Sequence, residues 1–323
     1  MKINQSDIDA VTKILKSQKL SSTFGNEVEK FEQDFAEYIG IKHAIAVNSG
    51  TAALHTALWS LVIGEGDEVI VPALSFASTA TAVLMVGAKP VFVDIEKGGL
   101  NIDPQAVKEA ITNKTKAILP VHMAGIPCQI DSLHEIAFKN DLTIIEDACQ
   151  AVGSMFMGSK VGTLGTMGCF SFHASKLLST GEGGMIVTNY KTLADLCRQF
   201  RNHGQTHKYH HTHLGYNYRM TEIQAALGRS QLKRVDREIR TRIAGERAFN
   251  TKQYLYSQGV KIPYGSRVAW SYYPGLAYVN VQVNPYYTPL YPMILPKQEV
   301  FAQKGHWPNA ERMIKRLFIE RRK

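Results

Sequence analysis

Lys176 stands between an apolar run, Phe170-Ser171-Phe172, and a glycine-rich turn, Gly181-Glu182-Gly183-Gly184. Most lysines are solvated surface residues. A lysine at such a junction can lie partly desolvated, where its pKa falls and its amine becomes nucleophilic. Three other stretches offer it partners. Val47-Asn48-Ser49-Gly50-Thr51 ends an apolar run in small residues and opens a helical pattern. That arrangement aims free backbone N–H groups and a Thr hydroxyl at an anion, usually phosphate. Taken alone, it is equally an ordinary helix cap. Ile144-Ile145-Glu146-Asp147 ends a buried run in two carboxylates. They read either as a cap beside a solvated Glu, or as one carboxylate facing a cationic ring nitrogen. The fourth stretch, Gly215-Tyr216-Asn217-Tyr218-Arg219-Met220, says on its own only that a helix follows.

An anion cradle, a carboxylate, a lysine able to form a Schiff base and a flat aromatic, Phe76, fit pyridoxal 5'-phosphate. The phosphate needs an anchor and the aldehyde a lysine. The pyridine nitrogen needs a carboxylate to stay protonated as an electron sink.

The elements that must position these residues are legible as alternating patterns. Short β-rich apolar runs lie at 44–47, 69–71, 90–93, 117–121, 142–145, 169–172 and 185–188. Helical patterns lie at 51–62, 78–85, 104–111, 130–139 and 192–201. This alternation predicts an α/β fold with a mainly parallel sheet covered on both faces. Ligands then bind at the carboxyl ends of the strands. One long helix is expected over 221–250, carrying Arg229, Lys233, Arg234, Arg237, Arg240, Arg242 and Arg247. Residues 263–296 hold six prolines, a density no packed strand tolerates. The expected division is a large domain over 1–245 and a small one over 246–323. A basic helix is expected over 311–323.

The chain has 323 residues and a net charge of +9. Residues 1–196 carry 15 basic and 21 acidic side chains, and residues 197–323 carry 22 and 7. A basic half suggests an anionic partner. Disorder is excluded by 45% hydrophobic content. Cys128, Cys149, Cys169 and Cys197 form no C-x-x-C pair and read as buried thiols in a reducing compartment. The N-terminus has no apolar leader segment, and no run is long enough to span a membrane. A cytoplasmic protein is expected.

Three motifs fail. Residues 162–168 are glycine-rich but precede a strand with the wrong spacing for a dinucleotide fingerprint. Residues 153–160 end in Ser-Lys where a P-loop needs Lys followed by Ser or Thr. His210, His211 and His213 read as a polar loop rather than a metal site.

At the residues named above the sequence resembles the DegT/DnrJ/EryC1/StrS family of sugar aminotransferases. Thr23-Phe24-Gly25, Asn48-Ser49-Gly50-Thr51, Glu146-Asp147-Ala148, the 171–184 stretch and Gly215 to Met220 match in family order. The resemblance runs from about residue 5 to 240 and implies the aspartate-aminotransferase fold, PLP fold type I. Members move an amino group from L-glutamate to a keto group on a nucleotide-linked sugar. The resemblance implies that Lys176 bonds the cofactor's aldehyde and later shuttles protons, and that Asp147 pairs with the pyridine nitrogen. It places Phe76 on the ring, and Gln150 near its other face or its phenolic oxygen. It assigns the phosphate to Gly50, Thr51 and Ser171. Asn217, supplied by the neighbouring subunit, also reaches that phosphate, so a homodimer with shared sites is implied. Arg219 is implied as a carboxylate or substrate anchor. Some relatives carry histidine in place of the lysine and are dehydratases; Lys176 favours transamination.

The departure is C-terminal. Tyr272-Tyr273-Pro274-Gly275 passes quickly to Tyr286-Tyr287-Thr288-Pro289-Leu290-Tyr291. The small domain is shortened relative to the family. The alternative reading is a pseudoenzyme of this fold that acts as a binding or regulatory protein. A nucleic-acid binder ranks third, since a basic helix without a recognised module is its only support. Neither nucleic acid nor a membrane is expected as a partner.

Overall fold

The computed structural model describes residues 3–244, 262–269, 274–276, 287–289, 293–315 and 317–320. The N-terminal helices α1 (Gln5–Ser17) and α2 (Glu27–Ile39) lead into β1 (His43–Val47) and α3 (Gly50–Ser60). Then come β2 (Glu68–Pro72), α4 (Ser78–Met85), β3 (Lys89–Val93), α5 (Pro104–Ala110), β4 (Thr115–Ile118), α6 (Ile130–Lys139) and β5 (Thr143–Asp147). The hairpin β6 (Met155–Phe156) and β7 (Ser159–Lys160) precedes β8 (Met167–Ser171), β9 (Gly184–Thr188) and α7 (Lys191–Phe200). A second hairpin, β10 (Gln205–His207) and β11 (His210–His211), leads to α8 (Glu222–Leu232) and α9 (Val235–Ala244).

Seven strands form the central sheet in the order β1-β9-β8-β5-β4-β2-β3. Pairs β2/β3, β2/β4, β4/β5 and β5/β8 are parallel, as the alternating pattern predicts. β9 alone runs antiparallel, to both β8 and β1. The reason is the connection. Residues 172–183 contain no crossover helix, and a short link can join only antiparallel neighbours. Reversing β9 leaves β1 running with the other strands. The carboxyl ends of β1, β5 and β8 therefore meet at one edge of the sheet, and the β8–β9 link lies on that edge.

Alternation along the strands feeds two faces. Ile45, Val47, Val71, Ile145, Cys169 and Ile186 pack beneath α3, α4 and α7. Ala44, Ala46, Phe170, Met185 and Val187 pack against α2, α8 and α9. Ile70, Val93, Ile118 and Ile144 pack against α5 and α6.

Three expectations are corrected. The long helix over 221–250 is two helices within the described residues. Arg234 contributes to the break, because its guanidinium reaches the Ser230 carbonyl at 3.4 Å while its amide turns to Gln231 O at 3.1 Å. The helical ladder needs that amide on Ser230. The basic helix over 311–323 is instead α10 (Pro308–Ile314) followed by β15 (Leu317–Glu320). Leu317-Phe318-Ile319 pairs with β13 (Pro274–Leu276) on one side and β14 (Tyr287–Pro289) on the other. Prolines do occur in strands there, but β13 and β14 are both edges, where a missing N–H is tolerated.

The described C-terminal segments pack onto the large body. β12 (Ser266–Arg267) pairs with β6. Trp307 Nε1 donates to Phe92 O at 3.0 Å, and Asp94 accepts from the amides of Asn309 and Ala310 at the start of α10. The expected domain boundary at 245/246, and Tyr272, Tyr273, Tyr286 and Tyr291, lie outside the described residues.

Candidate active site

Ser49 caps α3 by accepting from Ala52 N at 3.1 Å. The amides of Gly50 and Thr51 have no backbone or side-chain acceptor among the described residues. Thr51 Oγ1 meets Ser78 Oγ at 2.6 Å, which ties the N-terminus of α3 to that of α4. Two helix starts therefore face one place, each with its positive dipole end. Gly50 is required there. A Cβ on it would sit 2.8 Å from Ser171 Cβ and 3.1 Å from Cys149 Sγ.

Asp147 ends β5 and is 4% exposed. Its Oδ2 accepts from Thr79 Oγ1 at 2.9 Å and its Oδ1 from Cys149 N at 3.2 Å. Ser75 Oγ lies 2.7 Å from Thr79 Oγ1. No cation pairs with Asp147 among the described residues. Its charge is left for a ligand. Phe76 lies in the turn into α4, where its carbonyl accepts from Thr79 N, and it is 58% exposed.

Glu146 points the other way and is wholly buried. It accepts from Gly162 N at 2.7 Å, Leu164 N at 2.7 Å and Gly165 N at 2.6 Å. The glycine-rich 162–168 stretch is thus an anion cradle for the chain's own carboxylate. His122 Nδ1 accepts from Cys128 N at 3.0 Å, so its hydrogen sits on Nε2, which faces Glu146 at 2.9 Å. The reading of Glu146 as a solvated side chain is corrected. Of the two carboxylates, Asp147 alone is left facing the carboxyl edge of the sheet.

Lys176 lies on the β8–β9 link, half-buried, with its amide bonded to His173 O at 2.9 Å. Its ammonium has no hydrogen bond or ion pair among the described residues. Cys149 is its neighbour. Burial, then the Asp147 charge, push the Cys149 thiol well up, while Lys176 pulls it down. The thiol stays protonated and leaves Lys176 without a competing anion. The link is held by α8: Gln231 Oε1 accepts from Ser179 N at 3.0 Å and Gln224 Nε2 donates to Glu182 O at 2.7 Å. Seven residues apart, the two glutamines share one helix face.

Ser171, buried at the end of β8, accepts from His173 N at 3.3 Å. Gln150 is buried and accepts from Ala124 N at 2.9 Å. Asn217 is exposed, and its carbonyl accepts from Asn48 Nδ2 at 3.3 Å. An aromatic cluster carries this segment. Tyr218 OH meets His55 Nδ1 at 3.0 Å, and Tyr216 stacks on Tyr218 at 5.0 Å. Burial lowers the His55 pKa to about 4, so it is neutral near pH 7. Arg219 is placed elsewhere. It donates to Asn202 at 2.8 Å and lines a cleft of about 800 Å³ with Thr23, Gly25, Arg198 and Arg201. Lys176 does not line that cleft.

The fold therefore brings Lys176, Asp147, Gly50, Thr51 and Ser171 to one edge, while Arg219 lines the cleft of about 800 Å³. Ser78, Thr79, Cys149, Gln224 and Gln231 also build this edge. Sequence reasoning missed them because single hydroxyls and amides carry no pattern. The residues fit pyridoxal phosphate. The free amides at the start of α3 suit its phosphate, an uncompensated carboxylate suits a cationic ring nitrogen, and an unpaired lysine suits its aldehyde. Gly162 and Gly165 serve the chain's own Glu146, and His210 and His211, expected in a loop, form strand β11. Residues 155–160 form the β6–β7 hairpin, and no group of three metal-ligating side chains exists among the described residues. No helix among them is long and apolar enough to cross a membrane.

Comparison with known proteins agrees with this geometry. The chain is 46% identical over 228 residues to GDP-perosamine synthase of Caulobacter vibrioides, a match covering 69% of this chain and 62% of that protein. The chain thus spans under two thirds of that relative's length. It is 36% identical over 347 positions to an uncharacterised protein of Methanocaldococcus jannaschii, covering 97% of this chain and 89% of the other. Among solved structures, DesV of S. venezuelae in complex with a ketimine intermediate superposes with a TM-score of 0.89 at 32% identity, over 97% of this chain and 88% of that one. The sequence profile of the DegT/DnrJ/EryC1/StrS aminotransferase family matches residues 1–319, and the chain belongs to that family.

Proposed function

We propose that this chain is a pyridoxal-phosphate-dependent aminotransferase that moves the amino group of L-glutamate to a keto group on a nucleotide-linked sugar. The observation that carries this reading is the pairing of an unpaired, half-buried Lys176 with a buried, uncompensated Asp147 at one sheet edge. The names of the relatives support the substrate class: GDP-perosamine synthase, a spore coat polysaccharide biosynthesis protein and a UDP-N-acetyl-3-dehydro-glucosamine 3-aminotransferase.

Bound there, pyridoxal phosphate supplies an electron sink that acidifies the carbon bearing the amino group. The side chains do the rest. The amides of Gly50 and Thr51 and the Ser171 hydroxyl hold the phosphate. Asp147, fixed by Thr79 and the Cys149 amide, keeps a proton on the ring nitrogen. Phe76 would lie against the ring, and Gln150 near its other face or its phenolic oxygen. Lys176 would hold the aldehyde carbon through its amine and, freed when the glutamate amine takes its place, would carry the proton from the glutamate α-carbon to that same aldehyde carbon, as base and then acid. Overall, glutamate leaves as 2-oxoglutarate and the sugar's keto oxygen is replaced by an amine.

The reading includes a homodimer in which Asn217 serves the other subunit's phosphate, a cytoplasmic location, and a large domain over 1–245 with a short C-terminal one over 246–323. Arg219 is proposed as a carboxylate or substrate anchor. The test is direct. Borohydride reduction of the cofactor-loaded protein should fix the cofactor on Lys176, as read by peptide mass. Glutamate should then release 2-oxoglutarate in one turnover. A reduced adduct on another lysine, or no 2-oxoglutarate, defeats the proposal.

A further inference from the structure

We propose that the cleft between α1 and the α8–α9 pair is a binding site for a diphosphate group, separate from the Lys176 edge. The cleft encloses about 440 Å³, within the range of small-ligand sites. Lys13, Arg229, Lys233, Arg234 and Arg237 line it. Two of these cations are already matched. Arg229 holds Glu27 at 2.6 Å and Asp34 at 2.7 Å, and Arg234 holds Asp7. Lys13, Lys233 and Arg237 are exposed and have no ion pair among the described residues. Three uncompensated cations, from α1, the α8–α9 break and α9, thus converge on one concavity.

The two matched arginines make the place rigid, because their carboxylates come from α1 and α2 and lock those helices to α8. The unmatched three repel one another until an anion enters. No aromatic side chain lines the cleft among the described residues, so none of them can stack a base there. Recognition is by charge, with the exposed Ser6 hydroxyl as a further donor. A compact, multiply charged anion satisfies three cations in a closed space; an extended polyanion needs a longer strip. The site is distinct from the Lys176 edge. Gln231, buried on the opposite side of α8, is what touches the lysine link. The site also accounts for part of the basic surplus after residue 196, which a cofactor phosphate and glutamate cannot absorb.

The test is calorimetric titration of the cofactor-loaded full chain with inorganic pyrophosphate, so that the cofactor's phosphate position is filled. Saturable binding that weakens with added salt is expected. Combining Lys13→Gln, Lys233→Gln and Arg237→Gln should weaken it by at least about tenfold with the melting temperature unchanged. If that variant does not fold, Lys13→Glu alone, on the outer helix, should weaken binding in the same direction. No saturable binding, or unchanged affinity in the variants, overturns the proposal. A nucleoside diphosphate in place of pyrophosphate identifies the source of the group: affinity kept assigns a nucleotide, affinity lost an inorganic anion, and either supports the site.

Discussion

Thr79 donates its hydroxyl hydrogen to Asp147 Oδ2 at 2.9 Å, across 68 residues of chain. This contact fixes the orientation of the carboxylate that the proposed chemistry needs. Replacing Asp147 by Ala removes the charge on the ring nitrogen, and the glutamate half-reaction should slow by about 10²-fold or more. Thr79→Val removes one hydrogen bond worth about 1 kcal/mol and should slow it by roughly five- to tenfold. Stopped-flow absorbance with glutamate reads both. Equal rates in Thr79→Val and the parent chain would show that the contact does not position Asp147.

Gly50→Ala should cost both cofactor and stability. The new methyl meets Ser171 Cβ at 2.8 Å and Cys149 Sγ at 3.1 Å, and the buried Ser171 Cβ can retreat only if strand β8 moves with it. Overpacking of this kind costs about 1–3 kcal/mol. The start of α3 must shift, and its free amides move with it. Equilibrium titration with pyridoxal phosphate should show at least about tenfold weaker binding, matching a loss of that size. Affinity equal to that of the parent chain would mean that the α3 amides are not the phosphate anchor.

Acid should loosen the N-terminal helix first. Asp7 is 1% exposed, caps α1 and pairs with Arg234, just beyond the end of α8. Burial alone would raise its pKa, but Arg234, Ser230 and the Asn4 amide together hold it below the usual 3.8. A depressed folded-state pKa contributes stability that is full above the unfolded value and disappears as pH falls through the folded one. The loss should begin near about pH 4 and grow below it. Asp7→Asn strands Arg234 and should cost about 3–5 kcal/mol. Denaturant melts of both chains at a series of pH values check this. The gap between them should close as pH falls below that range, and a constant gap would contradict the linkage.

What the sequence disclosed depended on whether a residue's role was local. Lys176, Asp147 and Gly50 sit at junctions between an apolar run and a small-residue turn, so their neighbours announce them. β9 could be recognised as a strand but not as a reversed one. Its direction follows from the missing helix in residues 172–183, a cue that apolar periodicity does not register. Glu146 and Asp147 were indistinguishable in sequence, because only the pleat decides which neighbour faces the sheet edge. The 162–168 glycines, discounted as turns, hold Glu146 from 16 to 19 residues away. Arg219 belongs to a matching motif, but that it bonds Asn202 and lines the cleft of about 800 Å³ could not be read there, since motif membership does not fix a direction in space.

Gln231 offers the sharpest test of how the lysine link is held. Its Oε1 accepts from Ser179 N, but its buried Nε2 has no partner among the described residues. Leucine in its place removes that unsatisfied donor, a gain, and strands the Ser179 amide, a loss. Each effect is about 1–3 kcal/mol and they oppose. Global stability of Gln231→Leu should therefore stay within about 1 kcal/mol of the parent. The link itself should respond strongly, because Ser179 N loses its acceptor three residues from Lys176. Hydrogen exchange should show lost protection confined to residues 173–184, with the α8 core unchanged. Protection that survives at Ser179 would show that Gln224 and the turn's own hydrogen bonds suffice. Loss spread over all of α8 would show instead that the glutamine serves the helix and not the lysine.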